Sequence, residues 1–388
     1  MYPRLSGSKK WSLRPTTALL EHLGNPHHQF ASLHIGGSNG KGSVANLVAS
    51  ALIEGGYTVG LYTSPHLVDM RERISVNREP ISREAVVEWT SELRDSIEQQ
   101  NASFFEACTA IAFADFAARA VDVAVVEVGL GGRLDSTNVL SPDVSAITQV
   151  NRDHTDYLGD TLREIAHEKA HIAKSDTPLV VGERDPELVD EIITVAAGLG
   201  ARVSVVPEER LYDGELRLRG CHQRRNAAVA ERILECTPQR LAAGDVAAGF
   251  ARADAPGRFD VRGKWIFDVA HNQSGIEVLV DVIREHPPRR PLHALVSILK
   301  DKDWMNMLGT LSAHVDCIYL TNAPTAPRER QTEYDITELQ LPCTIIHEPQ
   351  FDTALREVRY GAGTVLVTGS TYAVGDAMSR LPGFAPLG

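Results

Sequence analysis

The chain is short of cysteine, of basic charge and of long apolar runs, and each shortage removes a class of protein. Five cysteines (Cys108, Cys221, Cys236, Cys317 and Cys343) are scattered through 388 residues with no Cys-x-x-Cys pair. That spacing excludes a disulfide framework or a zinc knuckle and leaves free thiols as the reading. No apolar run approaches the ~20 residues that span a bilayer. The N-terminal stretch MYPRLSGSKKWSLRP lacks the apolar core of a signal peptide. A cytoplasmic protein without membrane contacts is therefore expected. The formal net charge of −12 argues against nucleic-acid partners, which need basic patches. It leaves anionic small ligands open, because a few glycine amides and one lysine bind phosphate in an acidic protein. The chain has no internal repeat and no low-complexity segment.

What the chain does have is length for two cores and a hydrophobic content of 43%, which suits a globular enzyme. Short apolar strands alternate with helical periodicity. Ser32 to Ile35 reads as a strand end, Val44 to Ile53 as a helix closed by Gly55 and Gly56, and Tyr57 to Tyr62 as a second strand. Ala110 to Ala120 reads as a helix, and VDVAVVEVGLGG and DVSAITQV as further strands. This alternation predicts an α/β protein with a doubly wound parallel sheet. A Gly-, Pro- and charge-rich break at Ala251 to Gly263 separates it from a second, smaller α/β unit. That unit is built on KWIFDVA, LHALVSIL, DCIYL, CTIIHE and GTVLVTGS. The predicted domains are residues 1–254 and 255–388.

The polar clusters fall at the carboxyl ends of the strands, where such sheets bind ligands. HIGGSNGKGSVANLV, from His34 to Val48, resembles a phosphate loop with altered spacing: Ile35 stands where the first glycine of the common form belongs, and Gly42 separates Lys41 from Ser43. Its position between strand and helix suits anion binding, with Lys41 facing the phosphates and Ser43 within reach of phosphate or metal. Ser64, after the next strand, reads either as a hydroxyl ligand of Mg²⁺ or as a turn residue before Pro65. Glu127 ends an apolar strand, and burying a carboxylate there demands a metal, a cation or a salt-bridge partner. Asp153 and His154 end another strand and favour the metal. Alone, Lys169 reads as a solvated helix lysine and Asn226 as a surface amide. Asp268 and His271 stand at a strand end of the second unit, where ligand contact and helix capping are equal readings.

In this order the segments resemble the folylpolyglutamate synthase and dihydrofolate synthase family of the Mur-ligase superfamily. The matching segments are GGSNGKGS, YTSPHLVDMRERI, FFEACTAIAF, VEVGLGGRLDSTN, DHTDYLGDTLREIAHEKA, HQRRNA, PGRFD, FDVAHN, LKDKD and TGSTYAVGD, from Gly36 to Asp376. The shortened loop is that family's own form of the phosphate loop. The resemblance implies an ATP cradle at Asn39, Gly40, Lys41, Gly42 and Ser43, with further ATP contacts from Asn226, Arg258 and Asp268. It implies magnesium ligands at Ser64, Glu127 and His154, with a monovalent cation as a further cofactor, and a carbamylated Lys169. Asp268, His271 and Ser370 are implied on the glutamate-handling, catalytic face. Ser103, Phe104, Phe105 and Glu106, with Leu134, Asp135 and Ser136, are implied as pterin contacts, extended by Trp11, Ser12 and Leu13. The chain departs from the family pattern at Arg152, where an apolar residue is usual, and at Gln273, where proline is usual.

The implied reaction is ATP-dependent amide ligation. A pteroate or folyl carboxylate takes the γ-phosphoryl group, and the amine of L-glutamate then displaces phosphate. Dihydropteroate or a reduced folate and L-glutamate are the expected partners of a monomeric enzyme. Two other readings stand beside it: a sibling ligase acting on another acid, and a nucleotide-binding protein without ligase activity. The joint presence of Lys169, Asp268 and His271 speaks against the latter.

Overall fold

The computed structural model describes residues 12–152, 155–337 and 339–387. Trp11, Asp153 and His154, expected as site residues, lie outside the described residues. The chain forms two compact bodies: the first runs to Asp254 and the second begins at Ala255, with His66–Met70 and Leu218–His222 also belonging to the second. No described helix is long and apolar enough to cross a membrane.

The first body follows the alternation expected from the sequence. In chain order its elements are α1 (Arg14–His22), β1 (Ala31–Gly36), α2 (Lys41–Glu54), β2 (Val59–Tyr62), β3 (Ile74–Val76), β4 (Glu79–Pro80), α3 (Arg83–Gln100), α4 (Phe104–Ala118) and β5 (Val123–Glu127). They continue with β6 (Val144–Ile147), α5 (Thr155–Leu158), α6 (Leu162–Ala170), β7 (Pro178–Val181), α7 (Pro186–Gly198), β8 (Arg202–Val205), α8 (Cys221–Cys236) and α9 (Ala243–Arg252). The sheet order is β4-β3-β2-β5-β1-β6-β7-β8. β2, β5, β1, β6, β7 and β8 are parallel, and the β3–β4 ribbon adds an antiparallel edge. β1, between β5 and β6, is covered on both faces and buried almost throughout, with the polar Ser32 and His34 among its buried residues. The chain leaves β1 toward β2 on one side and β6 toward β7 on the other. Their following loops diverge at the carboxyl edge, which is where open α/β sheets leave a ligand crevice.

Two helices begin earlier than hydrophobic periodicity alone indicated. α2 starts at Lys41, so Lys41 and Ser43 belong to its first turn rather than to a free loop. α4 starts at Phe104 behind a capping box, in which the Ser103 hydroxyl accepts from the Glu106 amide and Glu106 accepts from the Ser103 amide. α2 packs tightly against α9: a Cβ on Gly249 would lie 2.4 Å from Ala51 Cα, and the Ser50 hydroxyl donates to the Gly249 carbonyl.

The second body contains β9 (Asp260–Arg262), β10 (Trp265–Phe267), α10 (Gln273–Glu285), β11 (Leu292–Val296), α11 (Trp304–Ser312), β12 (Cys317–Asn322), β13 (Thr344–Gln350), α12 (Phe351–Val358), β14 (Thr364–Thr368) and α13 (Thr371–Arg380). Its sheet order is β13-β12-β11-β14-β10-β9, parallel except for the β9–β10 hairpin. Leu279, Ile283, Leu308 and Leu311 of α10 and α11 pack on one face with Ile318 and Leu366. Phe351, Leu355, Val374 and Met378 of α12 and α13 cover the other face with Phe267 and Val367.

Candidate active site

β1 ends at Gly36 and α2 begins at Lys41, so the turn between them is tight. Gly37 and Gly40 have φ of +138° and +87°, a region open to glycine without strain. Space demands glycine as well: a Cβ on Gly37 would lie 2.0 Å from Thr148 Oγ1, and one on Gly40 2.6 Å from Asn226 Oδ1. The turn is clasped by the segment after β6. The Thr148 hydroxyl donates to the Asn39 carbonyl at 2.7 Å, and the Ser38 amide donates to the Gln149 carbonyl at 2.5 Å. The Ser38 hydroxyl donates to the Asn151 carbonyl and accepts from the Asn151 amide, both at 3.0 Å. From α8, Gln223 donates to the buried Ser43 hydroxyl at 3.2 Å and accepts from Asn226 at 3.0 Å. Thr148, Asn151 and Gln223 were not singled out by the sequence, because only folding brings them to the loop.

Two lysines meet on this turn. Lys41 Nζ donates to the Ser38 carbonyl at 3.0 Å. Lys169 Nζ donates to the Gly37 carbonyl at 2.9 Å. Lys169 is 4% exposed, which overturns its reading as a solvated helix lysine. Both line one cavity with Gly37, Ser38, Val128, Gly129, Leu130, Gly131 and Leu158. Glu127 is 2% exposed at the end of β5. Its Oε2 accepts from the Ser64 amide at 2.9 Å, and a Cβ on Gly42 would lie 3.5 Å from the same oxygen. Ser64, through its backbone amide, Glu127 and the first turn of α2 therefore come together. This oxygen-bearing set fits a hard divalent cation. Among the described residues no group of three His, Cys, Asp or Glu side chains is placed to hold a metal ion.

The residues expected at the pterin side fall around α4 and the loop after β5. Ser103 and Glu106 form the capping box described above, a signature legible in the spacing S-x-x-E. The Phe105 ring stacks on Tyr62 with centroids 5.8 Å apart, and a Cβ on Gly129 would meet that ring at 2.3 Å. Arg73 lies over Phe104 at 5.4 Å from the ring centroid. Asp135 and Ser136 are buried and tied inward. The Ser136 hydroxyl meets Thr109 at 2.7 Å, and Thr109 meets the Tyr62 hydroxyl at 3.2 Å. Asp135 accepts from the amides of Leu130 and Thr137 at 2.8 and 3.0 Å. Burial pushes its carboxyl above the usual range, and the Thr137, Leu130 and Gly129 hydrogen bonds pull the other way. Leu134 is half-buried and Ser12 exposed, with Leu13 half-buried before α1.

In the second body, Asp268 follows β10. Its Oδ2 accepts from the Phe259 amide and its Oδ1 from the Ala270 amide, at 2.8 and 2.9 Å. Burial raises its pKa, opposed first by the nearby Arg258 guanidinium. His271 Nδ1 donates to the Val269 carbonyl at 3.0 Å, because a carbonyl can only accept. Ser370 is the N-cap of α13, accepting from the Ala373 amide at 3.1 Å, and Asn272 caps α10 in the same way. Asp268, Arg258 and His271 thus share one end of the β10 strand, while Ser370 follows β14, the neighbouring strand.

Family comparisons agree with this division. The Mur ligase middle domain matches residues 35–213, and the Mur ligase glutamate ligase domain matches residues 257–371. The dihydrofolate synthase/folylpolyglutamate synthase of Bacillus subtilis is 33% identical, with 98% of this chain and 97% of that protein covered. The chain belongs to the dihydrofolate synthase/folylpolyglutamate synthase family. Members of this family are ATP-dependent ligases that form an amide bond. Escherichia coli FolC in complex with DHPP and ADP superposes with a TM-score of 0.87 at 29% identity, covering 97% of this chain and 95% of that one. A bifunctional folylpolyglutamate synthase/dihydrofolate synthase with Mn, AMPPNP and L-glutamate bound gives a TM-score of 0.84 at 29% identity, with 96% and 95% covered.

Proposed function

We propose that the protein joins L-glutamate to a pteroate or folyl carboxylate, with ATP converted to ADP and phosphate. The observation that carries this reading is the meeting of Lys41 and Lys169 on the carbonyls of one glycine turn, in a cavity shared with the Gly129–Gly131 loop. A carboxylate does not acylate an amine in water, since oxide is a poor leaving group. Transfer of the γ-phosphoryl group gives an acyl phosphate, and attack by the glutamate nitrogen then expels phosphate. The chain's task is positioning and charge neutralisation. Loop amides and Lys41 hold the phosphates, with Asn226 as a further ATP contact. His271, with Nδ1 protonated toward Val269, carries a basic Nε2 when neutral and takes a proton from the incoming ammonium. Ser64 and Glu127, with His154, would hold Mg²⁺, which when bound neutralises charge on the β- and γ-phosphates. The pterin lies against Phe104 and Phe105 and the Leu134–Ser136 segment.

Lys169 acts as a carbamate in this reading. Its uncharged Nζ adds to CO₂, an N–C bond forms and one proton leaves to solvent, so a buried positive charge becomes negative beside the metal. The carbamate nitrogen keeps one N–H, so the bond to the Gly37 carbonyl survives. Purified protein with ATP and glutamate, offered dihydropteroate or a reduced folate in parallel, tests the whole. Glutamate-dependent ADP release, product masses one glutamate larger and a hydroxamate trapped by hydroxylamine without glutamate are expected. Isotopically labelled bicarbonate should give a carbamate signal that is absent in Lys169→Ala. Turnover of neither acid, or ADP release indifferent to glutamate, removes the reading.

A further inference from the structure

His34 takes no part in the chemistry above, yet it is a fully buried imidazole on β1, two residues before the phosphate-loop segment begins at Gly36. Its Nε2 lies 2.8 Å from Thr137 Oγ1. Thr137 Oγ1 in turn donates to Asp135 Oδ1 at 2.5 Å, while the Thr137 amide donates to the same oxygen. A hydroxyl has one proton. Since Thr137 gives its proton to the carboxylate, His34 Nε2 must be the N–H donor of the pair, which fixes the imidazole tautomer. Nδ1 is then unprotonated, and among the described residues it has no hydrogen-bond partner. The ring stays neutral, because burial first and the Lys174 ammonium second lower its pKa to about 3. The other oxygen of Asp135 accepts from the Leu130 amide at 2.8 Å. Leu130 and its flanking glycines line the cavity that holds Lys41 and Lys169.

We propose that His34 is a positioning residue for the acceptor side of the site: through Thr137 it orients Asp135, and through Asp135 it fixes the Gly129–Gly131 loop. The strand that launches the phosphate turn is thereby tied to the loop that leads into the Leu134–Ser136 segment. Asp135 alone could rotate; with Thr137 pinned by an imidazole N–H, its two oxygens are assigned to Thr137 and Leu130. The inference rests on the reading of the Leu134–Ser136 segment as the acceptor pocket.

The test uses the full-length protein and two variants. His34→Leu keeps an apolar volume without the donor, and Thr137→Val keeps shape without the bridge. Both should raise the KM for the acceptor acid by about 10-fold or more, the effect of losing a buried hydrogen bond to a charged chain. The KM for ATP should stay within about 2-fold. The double variant should be no worse than the poorer single one, as coupled positions require. His34→Gln, with an amide N–H at similar reach, should restore most of the loss. Hydrogen exchange gives a readout free of activity: the Leu130 amide should exchange faster in both variants, while the α2 amides stay protected. If His34→Leu does not fold, Thr137→Val carries the same comparison. Unchanged exchange at Leu130, additive effects in the double variant, or equal rises in both KM values overturn the proposal. A wild-type protein that uses neither pteroate nor folate overturns the acceptor reading instead, and the exchange data still decide whether His34 orders the loop.

Discussion

The two bodies organise their polar strand ends in opposite ways. In the first, the bonds that shape the site join residues between 63 and 180 positions apart: Ser38 to Asn151, Asn39 to Thr148, Gly37 to Lys169, Ser64 to Glu127 and Ser43 to Gln223. In the second the side-chain bonds named above are local: Asp268 to Phe259 and Ala270, His271 to Val269, Asn272 to Gly275 and Ser370 to Ala373. A site held by distant segments is pre-organised by the whole sheet, so its geometry is as rigid as the core beneath it. A site held by helix caps and short turns owes its shape to a few neighbouring residues. The difference teaches where damage spreads. A change in the first body should disturb chemistry or several elements at once, whereas a change in the second should stay close to the residue altered.

The sharpest way to break this comparison is Lys41→Ala. The lost bond to the Ser38 carbonyl is worth about 1 kcal/mol of stability, so circular dichroism and thermal melting should barely change. Turnover, read as glutamate-dependent ADP release, should fall by at least ~10²–10³-fold, the scale of removing one preorganised group that faces developing charge. Activity within a few-fold of wild type would show that the clasped turn is structural only.

Gly37→Ala should act on both stability and chemistry. It forces a non-glycine residue into φ near +138° and drives Cβ against Thr148, so a loss of about 1–3 kcal/mol or more in denaturant unfolding is expected. Because Thr148 also holds Asn39, ATP binding should weaken in the same variant. A stable Gly37→Ala protein with normal ATP affinity would mean the loop adapts without its clasp.

The mildest change is Ser370→Ala, which removes the N-cap of α13. The expected loss is about 1 kcal/mol, measured by urea unfolding. Under the proposed function Ser370 also lies on the catalytic face, and a fall in kcat well beyond that stability loss would give this local cap a chemical role. A loss confined to stability would leave capping as its whole function and sharpen the contrast between the bodies.

Much of this was legible in the chain. The alternation of short apolar strands with helices dictated two α/β bodies, because a period of two and a period of 3.6 cannot be exchanged. The glycine turn before α2 was legible from Gly37, Gly40 and Lys41 between strand and helix. Ser103 and Glu106 carried a capping signature in their spacing alone, although the family resemblance drew them first to the pterin. The antiparallel edges β3–β4 and β9–β10 were not legible, since strands so short leave no clear period.

The sequence by itself determined which residue types stand at the strand ends, and so the chemistry available: a lysine and glycines for phosphate, Glu127 for a cation, Asp268 and His271 for a second strand end. Tertiary structure alone decided that Lys169 is buried against Gly37, that Thr148 and Asn151 clasp the loop, and that His34 reaches Asp135 through Thr137. The physical reason is that a side chain's burial and hydrogen-bond partners depend on what the sheet brings beside it. A helix lysine or a strand histidine looks the same in sequence whether it faces water or a carbonyl more than a hundred residues away.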